Sequence, residues 1–242
     1  MNTGILASNL EKETVGEIVA KNYHAAGVFR HFGIDFCCGG DISLEEACEK
    51  RNVDTKKVMH ELSHIPWDQP SADENYQAWE PDFLIDHIKN THHRFVLSKT
   101  DEILGYAAKV EKVHGQSRPE NVEIFHIFKD LTKELLRHLE DEETRVFPLI
   151  EEIYSKRLKG QEIPVGQIDA LQKELDDMVA DHEGAGDAMK TIRQLSHNFT
   201  PPEGACATYR IFYQNLEGFE KDLHKHVHLE NNILFKKAEK YI

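Results

Sequence analysis

The sequence predicts an all-α protein, an up-down-up-down four-helix bundle with a small helical N-terminal domain. Four long segments place apolar residues at steps of three and four, which is the spacing that lines one face of a helix. Short stretches with glycine or proline separate these segments. The 242 residues include only 14 glycines and eight prolines, a smaller share than the roughly 12% of an average protein.

The predicted domains follow one another along the chain. Residues 1–64 form the small N-terminal domain, residues 65–81 a linker without periodicity, and residues 82–242 the bundle. Short N-terminal helices are predicted over residues 15–20, 44–51 and 55–62. The four bundle helices are predicted over about 83–113, 120–157, 165–197 and 204–239.

Charge and composition exclude several classes of partner. The chain has 43 acidic and 29 basic residues, so nucleic acid and an anionic membrane surface would repel it. No apolar run approaches the roughly 20 residues that cross a bilayer, and the N-terminus lacks the pattern of a signal peptide. We therefore expect a cytoplasmic protein. Its four cysteines, two of them adjacent, do not resemble a secreted disulfide framework.

Histidines on the buried faces of the predicted helices indicate a metal site. A polar residue on such a face is costly unless it is paired or bound to metal. The apolar stripe of the second bundle helix continues with His138 and Glu142, and that of the fourth continues with His226 and Glu230 at the same phase. His182 lies on the stripe of the third helix. In the first helix, periodicity mildly favours His92 but leaves the neighbouring His93 open.

Imidazoles and carboxylates that converge from four helices are typical of a dinuclear site in a bundle core. This ligand set suits iron or manganese better than zinc, and iron is the first choice. Residues four apart lie one turn apart on one face, so each helix can supply a terminal imidazole and a bridging carboxylate. Roughly two coordination positions would remain open. Glu134 and Asp181 are candidates for acceptors behind the histidines or for a polar iron path, or they are ordinary surface acids.

A second motif, Asp-Phe-Cys-Cys-Gly-Gly over residues 35–40, precedes a predicted capping box that starts at Ser43. Because a helix N-terminus favours thiolate, Cys37 and Cys38 are candidates for disulfide exchange, for uptake of a soft metal or for receiving a damaged cofactor. The alternative is that the pair has no chemical role. Cys48 and Cys206 are predicted to be buried apolar side chains.

These motifs resemble the iron-sulfur cluster repair di-iron proteins, the Repair of Iron Centres family of the ScdA and YtfE type, over essentially the whole chain. The resemblance rests on residues 33–40, 143–148 and 226–235. It implies a hemerythrin-like bundle over residues 82–242. In the first helix it places the ligand at His93 rather than His92. The metal ligands that it implies are His93, His138, Glu142, His182, His226 and Glu230.

The function implied by the resemblance is repair of iron-sulfur clusters damaged by nitric oxide or oxidants. An oxo- or hydroxo-bridged di-iron centre would be the labile iron source, and damaged iron-sulfur proteins or apo-cluster acceptors would be the partners. Cys37 and Cys38 would dock a partner, act as a redox switch or join a homodimer. The chain would not be a conventional enzyme, although nitric oxide or redox activity at the centre stays open. The alternatives are a hemerythrin-type carrier or sensor of oxygen or nitric oxide, a thiol-disulfide protein with the bundle as scaffold, and a ferroxidase.

Overall fold

The computed structural model describes residue 10, residues 12–67 and residues 75–241. These residues are helical and include no β-strand, although an isolated β-bridge joins Thr14 and Ser43. The all-α prediction is confirmed. The chain divides into two compact units, one of Met1–Leu84 with Val227–Lys240 and the other of Ile85–His226 with Tyr241–Ile242.

Between residues 12 and 67, the structure describes four short helices. They are α1 (Val15–Lys21), α2 (Ala25–Phe32), α3 (Leu44–Arg51) and α4 (Thr55–Ser63). Side chains cap α1, α3 and α4, and Thr14 forms a full capping box with Glu17. Ser43 supplies the serine half of the predicted box by accepting a hydrogen bond from the N–H of Glu46.

Helix α2 was missed by the sequence prediction. Its first turn has no side-chain cap, because His24 makes no capping hydrogen bond. Gly33 ends the helix in the left-handed conformation, with φ of 68°, which glycine adopts without a steric penalty. The predicted linker contains residues 68–74, which lie outside the described residues, and a 3₁₀ turn over Tyr76–Ala78.

All four segments predicted for the bundle are helical. The first comprises α5 (Pro81–Ile88), π1 (Lys89–His93) and α6 (Arg94–His114); the second α7 (Glu120–Asp141), π2 (Glu142–Val146) and α8 (Phe147–Leu158); the third α9 (Val165–Leu195); and the fourth α10 (Ala207–Leu229), π3 (Glu230–Leu234) and α11 (Phe235–Glu239). The three π-helical segments were not predicted. Because a π segment shifts the helical phase, each one changes which neighbouring side chains face the same way.

Within the second unit, α7 packs against both α6 and α9. Buried aromatic rings fill the space between helices, and the rings of Phe128 and Phe219 meet edge to face with centroids 5.2 Å apart. The ring of Phe95 lies 6.3 Å from that of Phe219. Such rings bury large apolar areas, so they fix the spacing of the helices that carry the candidate ligands.

The turn after α9 is strained and is stabilised by an ion pair. His197, Asn198 and Phe199 all have positive φ angles of 51° to 58°, a conformation that costs a non-glycine residue free energy. The guanidinium of Arg193 lies 4.8 Å from the Phe199 ring centroid. It also donates two hydrogen bonds to the buried carboxylate of Glu220, one of them 2.8 Å long. These bonds raise the pKa of Arg193 above its ordinary value.

Replacing Arg193 with alanine should lower the free energy of unfolding by about 3 kcal/mol, because it leaves the Glu220 carboxylate buried without its counterion. Urea titration followed by circular dichroism measures this loss. In Arg193→Ala/Glu220→Gln, part of the loss should be recovered, since the buried charge is gone. Lys190→Ala, which removes the exposed ion pair with Asp187, is the control and should cost at most about 1 kcal/mol. If Arg193→Ala and Lys190→Ala lowered the free energy of unfolding equally, the prediction would be contradicted.

Candidate metal centre

Five of the predicted ligands lie in the second unit, and all five are buried there. His93 ends π1, His138 lies near the end of α7 and Glu142 begins π2. His182 lies in the middle of α9 and His226 near the end of α10. Two of these ligands, His93 and Glu142, thus lie in π segments, where the helix deviates from its regular phase.

The five side chains form two groups that share Glu142. In one group, the ligand atoms of His93, Glu142 and His226 lie within 4.8 Å of one another. In the other group, those of His138, Glu142 and His182 do the same. Glu142 belongs to both groups, so its buried carboxylate faces both sets of histidines.

The two oxygens of Glu142 face different histidines. Oε2 lies 3.4 Å from Nε2 of His93. Oε1 lies 3.3 Å from Nε2 of His138 and 3.9 Å from Nε2 of His182. Each oxygen of Glu142 therefore faces a different group of histidines.

Partly exposed carboxylates orient two of the histidines from behind. Nδ1 of His93 lies 2.7 Å from Oε1 of Glu143, and Nδ1 of His138 lies 3.3 Å from Oδ2 of Asp181. A carboxylate at Nδ1 places the proton there and leaves Nε2 as a lone-pair donor, which is the usual support of a metal-binding histidine. Asp181, which the sequence places beside His182, thus contacts His138, whereas Glu134 is exposed. Glu143 was not predicted for this role, and its only signal was its place beside Glu142.

The donor set fits a metal ion. Nε2 of His138 lies 2.9 Å from Nε2 of His182 while also facing Glu142. With its proton on Nδ1, a neutral His138 has no proton to give to these neighbours, and a cation between the donor atoms would satisfy all of them. Imidazole nitrogen and carboxylate oxygen are ligands that suit iron, manganese and zinc.

Glu230 lies four residues after His226 on a continuous helical path. It is fully buried and begins π3, as Glu142 begins π2 four residues after His138. Residues four apart lie one turn apart on one face. The second His-x-x-x-Glu pair thus repeats the local design of the first.

Two family descriptions match the chain. The ScdA_N domain, described as a domain of unknown function, matches residues 11–66, and the hemerythrin HHE cation binding domain matches residues 84–238. The chain is 31% identical over 229 residues to the iron-sulfur cluster repair protein ScdA of Staphylococcus epidermidis, which covers 94% of this chain and 98% of the relative. It is also 31% identical over 226 residues to the iron-sulfur cluster repair protein YtfE of Yersinia pseudotuberculosis, with coverage of 93% and 96%.

The chain belongs to this family of iron-sulfur cluster repair proteins. The match to a cation-binding domain and the buried histidine and glutamate groups together indicate an iron site. No helix in the described part of the chain is long and apolar enough to span a membrane.

The two candidate ligands of the first bundle helix, His92 and His93, have different surroundings in the structure. His93 belongs to the group with Glu142 and His226, whereas His92 belongs to neither group. His92 is buried, its Nδ1 lies 2.9 Å from Oδ1 of Asp222, and its ring stacks on that of His226 with centroids 5.7 Å apart. Because π1 widens the turn, both adjacent histidines face inward, and a regular 3.6-residue period cannot choose between them.

In this family member, the match to the ScdA_N domain includes the two adjacent cysteines. Oδ1 of Asp35 accepts hydrogen bonds from the backbone N–H of Cys37 at 2.9 Å and of Cys38 at 3.1 Å. The Cys37 thiol lies 3.2 Å from the same oxygen and 3.9 Å from the Cys38 sulfur. Cys37 is buried and Cys38 is partly exposed.

The expectation of a stabilised thiolate is wrong for Cys37. Its thiol is held protonated, because the hydrogen bond with Cys38, burial and the nearby Asp35 carboxylate all raise its pKa well above the ordinary value. Helix α3 begins at Leu44, too far along the chain for its dipole to oppose these effects. Of the other two cysteines, Cys48 is buried as predicted and Cys206 is exposed, contrary to prediction.

Cys37 should react with iodoacetamide at least about tenfold more slowly than a free cysteine near pH 8, because only the thiolate is nucleophilic. The alkylation rate of Cys37 should still rise with pH at values where an ordinary thiol is already fully ionised and reacts at a constant rate. In Asp35→Asn the rate should increase, since one source of the raised pKa is removed. Mass spectrometry of alkylated peptides measures each rate, with the exposed Cys206 as the internal comparison. A Cys37 rate equal to that of a free thiol would contradict the assignment.

Proposed function

We propose that this chain repairs damaged iron-sulfur clusters by supplying iron from a centre of two iron ions. The proposed ligands are His93, His138, Glu142, His182, His226 and Glu230. The observation that carries the proposal is the shared carboxylate of Glu142, whose two oxygens face different histidines. One buried carboxylate between two sets of imidazoles is what a pair of cations requires.

Glu230 supports the count of two ions. Glu230 follows His226 by four residues, as Glu142 follows His138, and it is the proposed second bridging ligand. Both glutamates are fully buried, and buried carboxylates are rare unless they are paired or bound to cations. Six protein ligands leave positions open in two six-coordinate shells.

The chain itself provides orientation and exclusion of water. Glu143 and Asp181 fix the ring direction of His93 and His138 through Nδ1, so both Nε2 atoms point inward. All of the proposed ligands are buried, so the fold shields them from bulk water. Bound iron would supply a redox-active cation with open positions for a small ligand.

Delivery requires iron to leave a buried site, and the proposed route passes Asp181. The Asp181 side chain is 42% exposed, whereas that of His138, which it contacts, is 2% exposed. A carboxylate that touches both solvent and a buried ligand offers the departing cation its first oxygen donor. Glu134, one turn before His138, is the proposed second acid on this path.

The test is iron transfer to an apo-cluster acceptor protein under anaerobic conditions. The purified chain should contain about two irons and should lose them to the acceptor as the acceptor regains cluster absorbance. In Asp181→Asn, iron content should persist while transfer slows, since the amide keeps the shape but loses the charge. Iron that never leaves the chain would refute donation.

A second function is favoured by the match of residues 84–238 to the hemerythrin description. A hemerythrin-like centre would bind oxygen or nitric oxide reversibly at its open positions and retain its iron. The same samples distinguish the two functions. Spectral changes that reverse with the gas, together with retained iron, would favour a carrier or sensor over a repair protein.

A further inference from the structure

The loop with the two adjacent cysteines brings three metal-ligating groups together outside the proposed iron centre. The ligand atoms of Asp35, Cys37 and Cys38 lie within 4.8 Å of one another. All three residues belong to the first unit, as do Phe36 and the helical residues His228 and Asn232. Nothing in the repair function proposed above depends on these groups.

Contacts within the first unit hold the loop in place on two sides. On one side, Asp35 accepts the two backbone N–H groups of the cysteines. On the other side, Nδ2 of Asn232 donates to the carbonyl oxygens of Phe36 at 3.3 Å and Cys37 at 3.1 Å. The His228 ring packs against the Phe36 ring, with the two ring centroids 6.0 Å apart. The donor atoms are therefore positioned by the fold, which lowers the cost of ordering a metal site.

The spacing of the donors matches a tetrahedral cation. In a tetrahedral zinc site, each Zn–S distance is about 2.3 Å, so two sulfur ligands lie about 3.8 Å apart. The sulfurs of Cys37 and Cys38 are 3.9 Å apart. A carboxylate oxygen on the same ion would lie about 3.6 Å from each sulfur, and Oδ1 of Asp35 lies 3.2 Å from the Cys37 sulfur. A disulfide would need the sulfurs to approach to about 2.05 Å across adjacent residues, with much larger strain.

The donor types select the kind of ion. Two thiolates and one carboxylate suit a borderline-soft divalent cation and not a hard ion such as magnesium or calcium. The partly exposed Cys38 gives the ion an entry route. Three protein ligands leave one of four tetrahedral positions for water or an external ligand, as in zinc sites that bind a substrate.

We propose that Asp35, Cys37 and Cys38 bind one divalent cation of the zinc class. Binding exchanges the two thiol S–H bonds for two metal–sulfur bonds and releases two protons to solvent, with no change of oxidation state. The fourth position would accept water or a donor atom from another molecule. The site shares no residue with the proposed iron ligands and adds a second type of metal chemistry to the chain.

The experiment titrates Co²⁺, a spectroscopic substitute for Zn²⁺, into the iron-loaded full chain without oxygen. We expect one equivalent to produce a thiolate-to-cobalt charge-transfer band and the visible bands of tetrahedral cobalt, with about two protons released per ion. Zn²⁺ should abolish the bands, and the iron content should stay constant. Iron released in proportion to added cobalt would overturn the proposal, because the cobalt would then occupy the bundle.

Substitutions in the loop identify the ligands. Cys37→Ser and Cys38→Ser should each remove the charge-transfer band at one equivalent. Asp35→Asn keeps the oxygen that accepts the two N–H groups but loses the charge, so binding should weaken about 10- to 100-fold. Cys206→Ser, which removes the exposed cysteine of the second unit, is the matched control and should leave the titration unchanged.

A measurement on the unsubstituted chain tests the site without relying on variants that could misfold. One equivalent of Zn²⁺ should protect Cys37 and Cys38, but not Cys206, from alkylation. A band that persists in both serine variants, a titration without thiolate absorption, or equal alkylation with and without Zn²⁺ would each overturn the proposal.

Discussion

Replacing Glu142 with glutamine should empty the iron centre. Glutamine has the same shape, but it loses the charge and the second equivalent oxygen that lets one side chain face both histidine groups. Because each cation of the proposed pair would lose a ligand, the affinity for iron should fall at least about 100-fold. Iron content and the near-ultraviolet absorption of the purified variant measure the loss.

The same substitution should leave the metal-free chain at least as stable as before. Without a cation, the Glu142 carboxylate is a fully buried charge, and its removal should raise the free energy of unfolding by about 1 kcal/mol. Asp130→Asn changes an exposed acid of the same helix that lies outside the proposed site and path, and it should alter neither iron content nor stability. Full iron occupancy in Glu142→Gln would refute a bridging role.

The helices of the bundle could be predicted because their apolar periodicity is long and their ends are marked. Pro119 and Pro164 precede α7 and α9, and proline disfavours the helical conformation in the residue before it. The phase of the stripe was also enough to select His138, Glu142 and His182, which the structure brings together.

The features that sequence reasoning missed depend either on local departures from regular helix geometry or on contacts between residues far apart in the chain. A π segment leaves no mark in a 3.6-residue pattern, so His92 and His93 could not be separated by phase. Asp222 and Glu143 face histidines from other helical segments. In the sequence they look like any surface acid of a helix.

Two matched glycine substitutions in the first unit should have opposite effects on stability. A Cβ at Gly16 in α1 would lie 2.2 Å from Oδ1 of Asn232 and 3.0 Å from the carbonyl oxygen of Gly40, whereas a Cβ at Gly27 in α2 meets nothing within 4 Å. Gly16→Ala should therefore cost about 1–3 kcal/mol. Gly27→Ala should add about 0.5–1 kcal/mol, because alanine loses less backbone entropy in a helix.

The reason for the asymmetry is the position of Asn232. Its amide is already bonded to the carbonyl oxygens of Phe36 and Cys37, so it cannot move away from a new methyl group without releasing the cysteine loop. Hydrogen exchange of the first unit measures the change in stability, and faster alkylation of Cys37 in Gly16→Ala reports the loosened loop. If both substitutions stabilise the chain, Asn232 moves freely and does not fix the loop. A loss in Gly16→Ala alone, accompanied by faster Cys37 alkylation, means that packing of the C-terminal helical segment positions the two thiols.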